Sequence, residues 1–156
     1  MKPSVTVLAV LLGLVFLGGL ARANDNDSVE RRPKSPSYEA GRKAVEAKDF
    51  KSSVAHLTKA AQETPDDADV HNLLGYSYRK VGQFDKAMEH YGLALKLDRN
   101  HRGAHEYIGE LYLETNRPAE AEKQLQALKK ACPWFGKCEE YEDLKAAIEK
   151  YKTAKK

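Results

Sequence analysis

Two cysteines and five histidines are the residues of this 156-residue chain best suited to redox or metal chemistry. Cys132 and Cys138 lie in the run Cys-Pro-Trp-Phe-Gly-Lys-Cys. A six-residue offset with a proline and a glycine inside can turn tightly enough to bring the two α-carbons within bonding range. In an oxidising compartment the expected state is a structural disulfide, and by the loop-entropy model so small a ring is worth about 2 kcal/mol. The alternative is a thiol-redox or metal-handling pair. It lacks the Cys-x-x-Cys spacing that lowers a thiol pKa, and no histidine lies within the loop. Among the histidines, His71 and His105 are 34 residues apart, as are His56 and His90. Such regularity favours packing or solvated roles. His101 and His105 share a helix face at four-residue spacing, a weak metal signal. His105-Glu106 begins a His-Glu-x-x-His zinc spacing, but Gly109 stands where the second ligand is needed. No nucleophile elbow, phosphate-cradling glycine loop or haem-attachment sequence is present. The expectation is a protein without catalytic residues, metal site or cofactor.

Charge narrows the partners. The chain carries a formal +3, and its first 23 residues hold Lys2 and Arg22 but no acid, so the remainder carries +1. Nothing there attracts phosphate over long range, and nucleic acid is not expected as a partner. Met1 to Ser4 is a short positive start, followed by the apolar run Val5 to Leu20 and by Ala21-Arg22-Ala23. This is the pattern of an export signal cleaved before Asn24, with small residues for the peptidase pockets. The run of 16 falls below the ~20 residues that span a bilayer, so membrane attachment is expected only if residues 1–23 are retained. The expected location is exported, in a periplasm. Residues 24–36 are rich in Asp, Asn, Arg, Ser and Pro and read as a flexible linker.

From there the sequence repeats with a period of 34. Gly41, Gly75 and Gly109 fall in register, as do Phe50, Phe84 and Pro118; Ser53, Ala87 and Ala121; Leu57, Tyr91 and Leu125; and Ala60, Ala94 and Leu128. Within the second unit Val70, Leu74, Tyr78 and Val81 recur at three- and four-residue steps, and Phe84, Met88, Tyr91 and Leu95 repeat the pattern. Each unit therefore reads as two amphipathic helices. The turn between them needs a left-handed residue, supplied by Gly82 in unit two and Asn116 in unit three, whereas unit one has Lys48. Asp67 and Asn100 are expected as N-caps. One hairpin cannot bury its own apolar face, so three must stack and the last must be covered. Tyr141, Leu144, Ile148 and Tyr151 form one stripe of a final helix over Glu139 to Lys152, the expected cap.

These positions resemble the tetratricopeptide repeat (TPR) family, of an exported bacterial type. Its unit has Leu-Gly at positions 7 and 8, Tyr at 11, Ala at 20, an aromatic at 24, Ala at 27 and Pro at 32. Leu74-Gly75, Tyr78, Ala87, Tyr91 and Ala94 match in the second unit. The third has Ile108-Gly109, Tyr112, Ala121, Leu125, Leu128 and Pro133, and the first keeps Gly41, Leu57, Ala60 and Pro65. The resemblance implies an all-α, right-handed solenoid of three hairpins (about 34–67, 68–101 and 102–135, within 37–134) plus a capping helix and basic tail at 136–156. It also implies that the first helices line a concave groove through Tyr38, Arg42 and Val45, then Asn72, Tyr76 and Arg79, then Glu106, Glu110 and Leu113. Tyrosines with a few charges suit capture of a protein or peptide. The expected function is an exported adaptor that supports assembly of an envelope complex. The clamp that some relatives use for chaperone C-termini is not expected, because Tyr38, Arg42, Leu73, Gly103 and Tyr107 occupy its positions. The groove charges are expected to run from basic (Arg42, Arg79, Lys80) to acidic (Glu106, Glu110, Glu114). Self-association through the short first unit is a further possible outcome, giving a homo-oligomer.

Overall fold

The structure, a computed structural model, describes residues 34–134 and 136–155. Residues 1–23, read above as an export signal, and most of the expected 24–36 linker lie outside the described residues. Seven helices and no strand are found among those residues: α1 (Pro36–Glu46), α2 (Phe50–Glu63), α3 (Ala68–Lys80), α4 (Phe84–Leu97), α5 (Arg102–Glu114), α6 (Pro118–Ala131) and α7 (Glu139–Ala154). They pair as the hairpins α1–α2, α3–α4 and α5–α6, which stack in order, with α7 closing against α5 and α6. The first helices α1, α3 and α5 also touch in sequence, so they form one face.

Short-range chemistry sets the helix ends. Ser35 caps α1 through a bond from the Tyr38 amide, with Pro36 at the first helical position. The fold thus takes in the end of the expected linker, and Lys34 anchors it by reaching Asp67 (2.7 Å) and Asp69 (2.7 Å). Asp49 and Asp67 cap α2 and α3. The cap of α5 is His101, not Asn100: its Nδ1 accepts from the Ala104 amide at 3.1 Å, while the Asn100 amide is taken by Asp98. An unprotonated ring nitrogen can cap like a carboxylate oxygen, and here the other nitrogen, Nε2, donates to Asp69.

The three turns are alike at the level of single bonds. Lys48, Gly82 and Asn116 all have positive φ (59°, 76° and 59°). Their amides donate to Val45, Arg79 and Leu113, and the next amides donate to Ala44, Tyr78 and Tyr112. Lys48 thus takes the left-handed conformation despite its side chain.

Close approach explains the spaced glycines. A Cβ at Gly75 would stand 2.7 Å from the Tyr91 ring and 3.1 Å from the Ala87 carbonyl, and one at Gly41 would stand 2.5 Å from Leu57. At Gly109 the neighbour is Leu144, at 2.5 Å, so α7 uses the same small-residue gap that the other hairpins fill from within. Leu144 and Ile148 join Ala121, Leu125 and Leu128 in one core cluster, with Leu113 and Tyr141 packed on it. Between the first two hairpins, the buried Ser53 and Ser77 hydroxyls bond at 2.7 Å. Since Ser77 donates to the Leu73 carbonyl, Ser53 must be the donor.

Candidate functional site

The face made by α1, α3 and α5 carries the residues expected to line a groove. On α3, Asn72, Tyr76 and Arg79 follow at four- and three-residue steps, which places them on one side of the helix. On α5, Glu106 and Glu110 do the same. Tyr76 is half-buried between Phe50 (ring centroids 6.0 Å apart) and Tyr107 (4.9 Å). Tyr107, named above only at a clamp position, was not among the expected groove residues. It enters because an aromatic next to Glu106 lies within reach of α3, a cross-repeat distance that periodicity does not encode.

Arg79 is the centre of this face and is only 4% exposed. Its Nη1 donates to Glu114 at 3.0 Å and its Nη2 to Glu110, both one repeat further on. The guanidinium lies over the rings of Tyr76 (5.5 Å) and Tyr107 (5.6 Å), an arrangement favourable to a cation on aromatic faces. Lys80 lies over Tyr76 from outside, at 5.1 Å. Arg42 is elsewhere engaged, bonded to Glu39 at 2.9 Å and to Glu46 on its own helix. The expected gradient from basic to acidic is therefore not what the groove presents. Its two arginines are paired with carboxylates, Arg42 within its own helix and Arg79 with Glu110 and Glu114 of the next first helix. Tyr38 is half-buried with Lys34 over its ring at 4.9 Å. Asn72 packs against the start of α5, where a Cβ on Gly103 would meet its amide at 3.0 Å. Val45 is half-buried, and Leu113 packs into the core under the cap.

Glu106 behaves differently from its neighbours. Burial, then the carboxylates of Glu110, Asp143 and Glu140, push its pKa up to about 8, with Arg79 opposing. Glu140 and Asp143 belong to α7, so the cap supplies part of this surface. Helix periodicity placed them on the polar side of the cap, but nothing in the repeat showed that this side meets Glu106. Burial pushes Tyr107 up to about 12, helped by Glu106.

Four of the five histidines have local partners. His71 Nε2 donates to the Pro65 carbonyl (3.0 Å), so its Nδ1 accepts from His90 Nδ1 (3.1 Å). One repeat on, His105 Nε2 donates to the Arg99 carbonyl (3.0 Å) and its Nδ1 lies 2.8 Å from Gln124 Oε1, a bond that is made with the Gln124 amide turned so that its NH2 donates. Position 4 of the repeat is thus a hydrogen-bonding post in both units. His101 caps α5, as above. Among the described residues no group of three or more His, Cys, Asp or Glu side chains is placed to hold a metal. Cys132 and Cys138 are joined in a disulfide with α-carbons 5.8 Å apart, tying the end of α6 to the start of α7.

Comparison with known proteins gives consistent fold relatives. Residues 68–101, the α3–α4 hairpin and its flanks, match the tetratricopeptide repeat. A curated relative, "Protein CTR9 homolog" of Arabidopsis thaliana, is 26% identical over 107 residues, covering 69% of this chain and 10% of that protein. The chain therefore spans only a small part of that relative. Among solved structures, the first TPR of Spaghetti (RPAP3) bound to the HSP90 peptide SRMEEVD superimposes with a TM-score of 0.64. It is 18% identical and covers 76% of this chain and 89% of that one. The TPR2B-domain:pHsp70 complex of yeast Sti1 gives 0.69 at 16% identity, covering 76% and 94%. MamA of AMB-1 gives 0.57 at 25% identity, covering 62% and 56%.

Proposed function

We propose that this chain, whose middle hairpin is a tetratricopeptide repeat and whose fold is that of TPR domains, is a non-catalytic adaptor that holds a protein segment along the face of α1, α3 and α5. The observation that carries the reading is the Tyr76–Tyr107 pair. Two half-buried rings, 4.9 Å apart, lie on the shared face of stacked helices with Glu106 and Glu110 beside them. Aromatic side chains give contact area at low entropy cost, and flanking charges add register. Structures of the same fold are known with an HSP90 peptide and with pHsp70, which supports capture of a segment of another protein. The chaperone-type ligand itself is not proposed, since Tyr38, Arg42, Leu73, Gly103 and Tyr107 stand at the clamp positions.

The export reading belongs to the same proposal. The apolar run Val5 to Leu20 before Ala21-Arg22-Ala23 supports secretion, and a disulfide suits an oxidising compartment. There the adaptor would help assemble an envelope complex. Cross-linking in the native cell followed by affinity capture and mass spectrometry tests both parts. A partner recovered with the wild-type chain and lost with Tyr76→Ala is the expected result, from a protein whose N-terminus begins at Asn24. Partners unchanged by Tyr76→Ala would sink the groove reading, and an N-terminus still at Met1 would sink cleavage. Arg79 is unsuited as a control, since its side chain is part of the packing.

A further inference from the structure

The most exposed large apolar side chain among the described residues is Trp134, at 94%; Leu97 and Phe84 follow at 43% and 36%. It is also the chain's only tryptophan. The loop that carries it is braced. Pro133 fixes the backbone ahead of it, Gly136 turns the chain with φ at 93°, and the Cys132–Cys138 bond closes the ring with α-carbons 5.8 Å apart. An indole presented from such a loop loses little further freedom when it is seated elsewhere.

Charge around the loop has one sign. From Lys123 to Cys138 the sequence holds no acid. Lys129 and Lys130 stand exposed in the last turn of α6, and Lys137 is exposed beside Cys138. Because the disulfide returns Cys138 to the end of α6, Lys137 is brought back toward the turn that carries the other two. Acids resume in the first turn of α7, where Glu140 is held by Arg102 at 3.5 Å and the helix N-terminus offsets negative charge.

We propose that this loop seats the protein on an anionic lipid bilayer, with the Trp134 indole entering the headgroup region and Lys129, Lys130 and Lys137 meeting lipid phosphates. Tryptophan favours that depth, since its ring is apolar while its N–H still finds an acceptor. Each lysine can lay its stem on apolar surface and keep its charged end among the phosphates. A protein pocket for Trp134 fits less well, because lysines are depleted at the centre of protein interfaces but drawn to anionic lipid. One indole and three lysines give weak, reversible attachment. It requires neither residues 1–23 nor the face of α1, α3 and α5, so it is independent of the groove reading.

Since the chain has a single tryptophan, its intrinsic fluorescence excited beyond the tyrosine band reports Trp134 alone. The full chain is titrated with vesicles of phosphatidylglycerol and, as the control, of phosphatidylcholine, since an apolar segment 1–23 would enter both kinds. The expected result is a shift of emission to shorter wavelength with phosphatidylglycerol only, quenched by brominated acyl chains and lost at high salt. Lys130→Gln/Lys137→Gln should weaken partition roughly 25-fold, at about fivefold for each lysine, while Tyr76→Ala leaves it unchanged. Far-ultraviolet circular dichroism confirms that each variant is folded. No shift with phosphatidylglycerol, an equal shift with both vesicles, or indifference to the lysine pair would overturn the proposal. So would a shift produced by the lipid-free protein fraction of the native envelope and not by vesicles, which would assign Trp134 to a protein pocket.

Discussion

Arg79 shows how a charged residue can be both polar and core. Its side chain is 2% exposed and its two carboxylate partners are 29% and 42% exposed, so the pair sits between a surface bridge and a fully buried one. Removing one partner of such a pair strands the other in a poorly solvated place. Arg79→Ala is expected to lower stability by about 2 to 3 kcal/mol, measured by urea unfolding. A loss below half a kcal/mol would mean that the network is ornamental. The His71–His90 pair makes a second residue-scale prediction. His90 is held below the ordinary histidine value, first by burial and then by His71. The unfolded chain therefore takes up this proton before the folded one does, and this contribution to stability is lost as pH falls through 6.5 toward the lowered value. The third repeat has Gln124 where the second has His90. His90→Gln should keep the bond to His71 and gain stability relative to wild type between pH 7.5 and 5.5. A constant difference across that range would contradict the assignment.

At the scale of elements, the turn and the cap are the places where sequence and structure can be compared. The 34-residue register located the hairpins because it reflects hard contacts, such as the Tyr91 ring against Gly75 and Leu57 against Gly41. Lys48 obeys the same turn because the bonds to Val45 and Ala44 outweigh its backbone penalty. Lys48→Gly should then stabilise the chain by roughly 0.5 to 1 kcal/mol, read as a raised thermal midpoint; an unchanged or lower midpoint would contradict this. The cap α7 was visible as a stripe, yet its seat on Gly109 was not, since α7 does not belong to the repeat and no period reports its neighbour. Its start is fixed by the disulfide. Replacing Cys132 and Cys138 with serine should cost about 2 kcal/mol and raise hydrogen exchange in α7 before other helices. Uniform exchange across the chain would argue that the bond serves no cap function.

For the whole molecule, three hairpins and a cap produce one continuous face that no single repeat has. The residues that form it were readable at Asn72, Tyr76, Arg79, Glu106 and Glu110, because the family resemblance gives positions along each helix. What those positions touch was not readable. Arg79 bonds residues 31 and 35 places away, and Tyr107, Glu140 and Asp143 enter through packing between units. The same distances turn an expected charge gradient into an internal network, leaving aromatic surface and spare acid at the cap end. Capture on this face is the central claim, and site-specific photo-cross-linking in the native cell tests it most directly. A photoreactive phenylalanine analogue would replace Tyr76 on α3 or, as the comparison, the exposed Lys96 on α4. The account predicts a discrete adduct of defined mass from position 76 and none from position 96; adducts from position 96 alone, or equally from both, would contradict it.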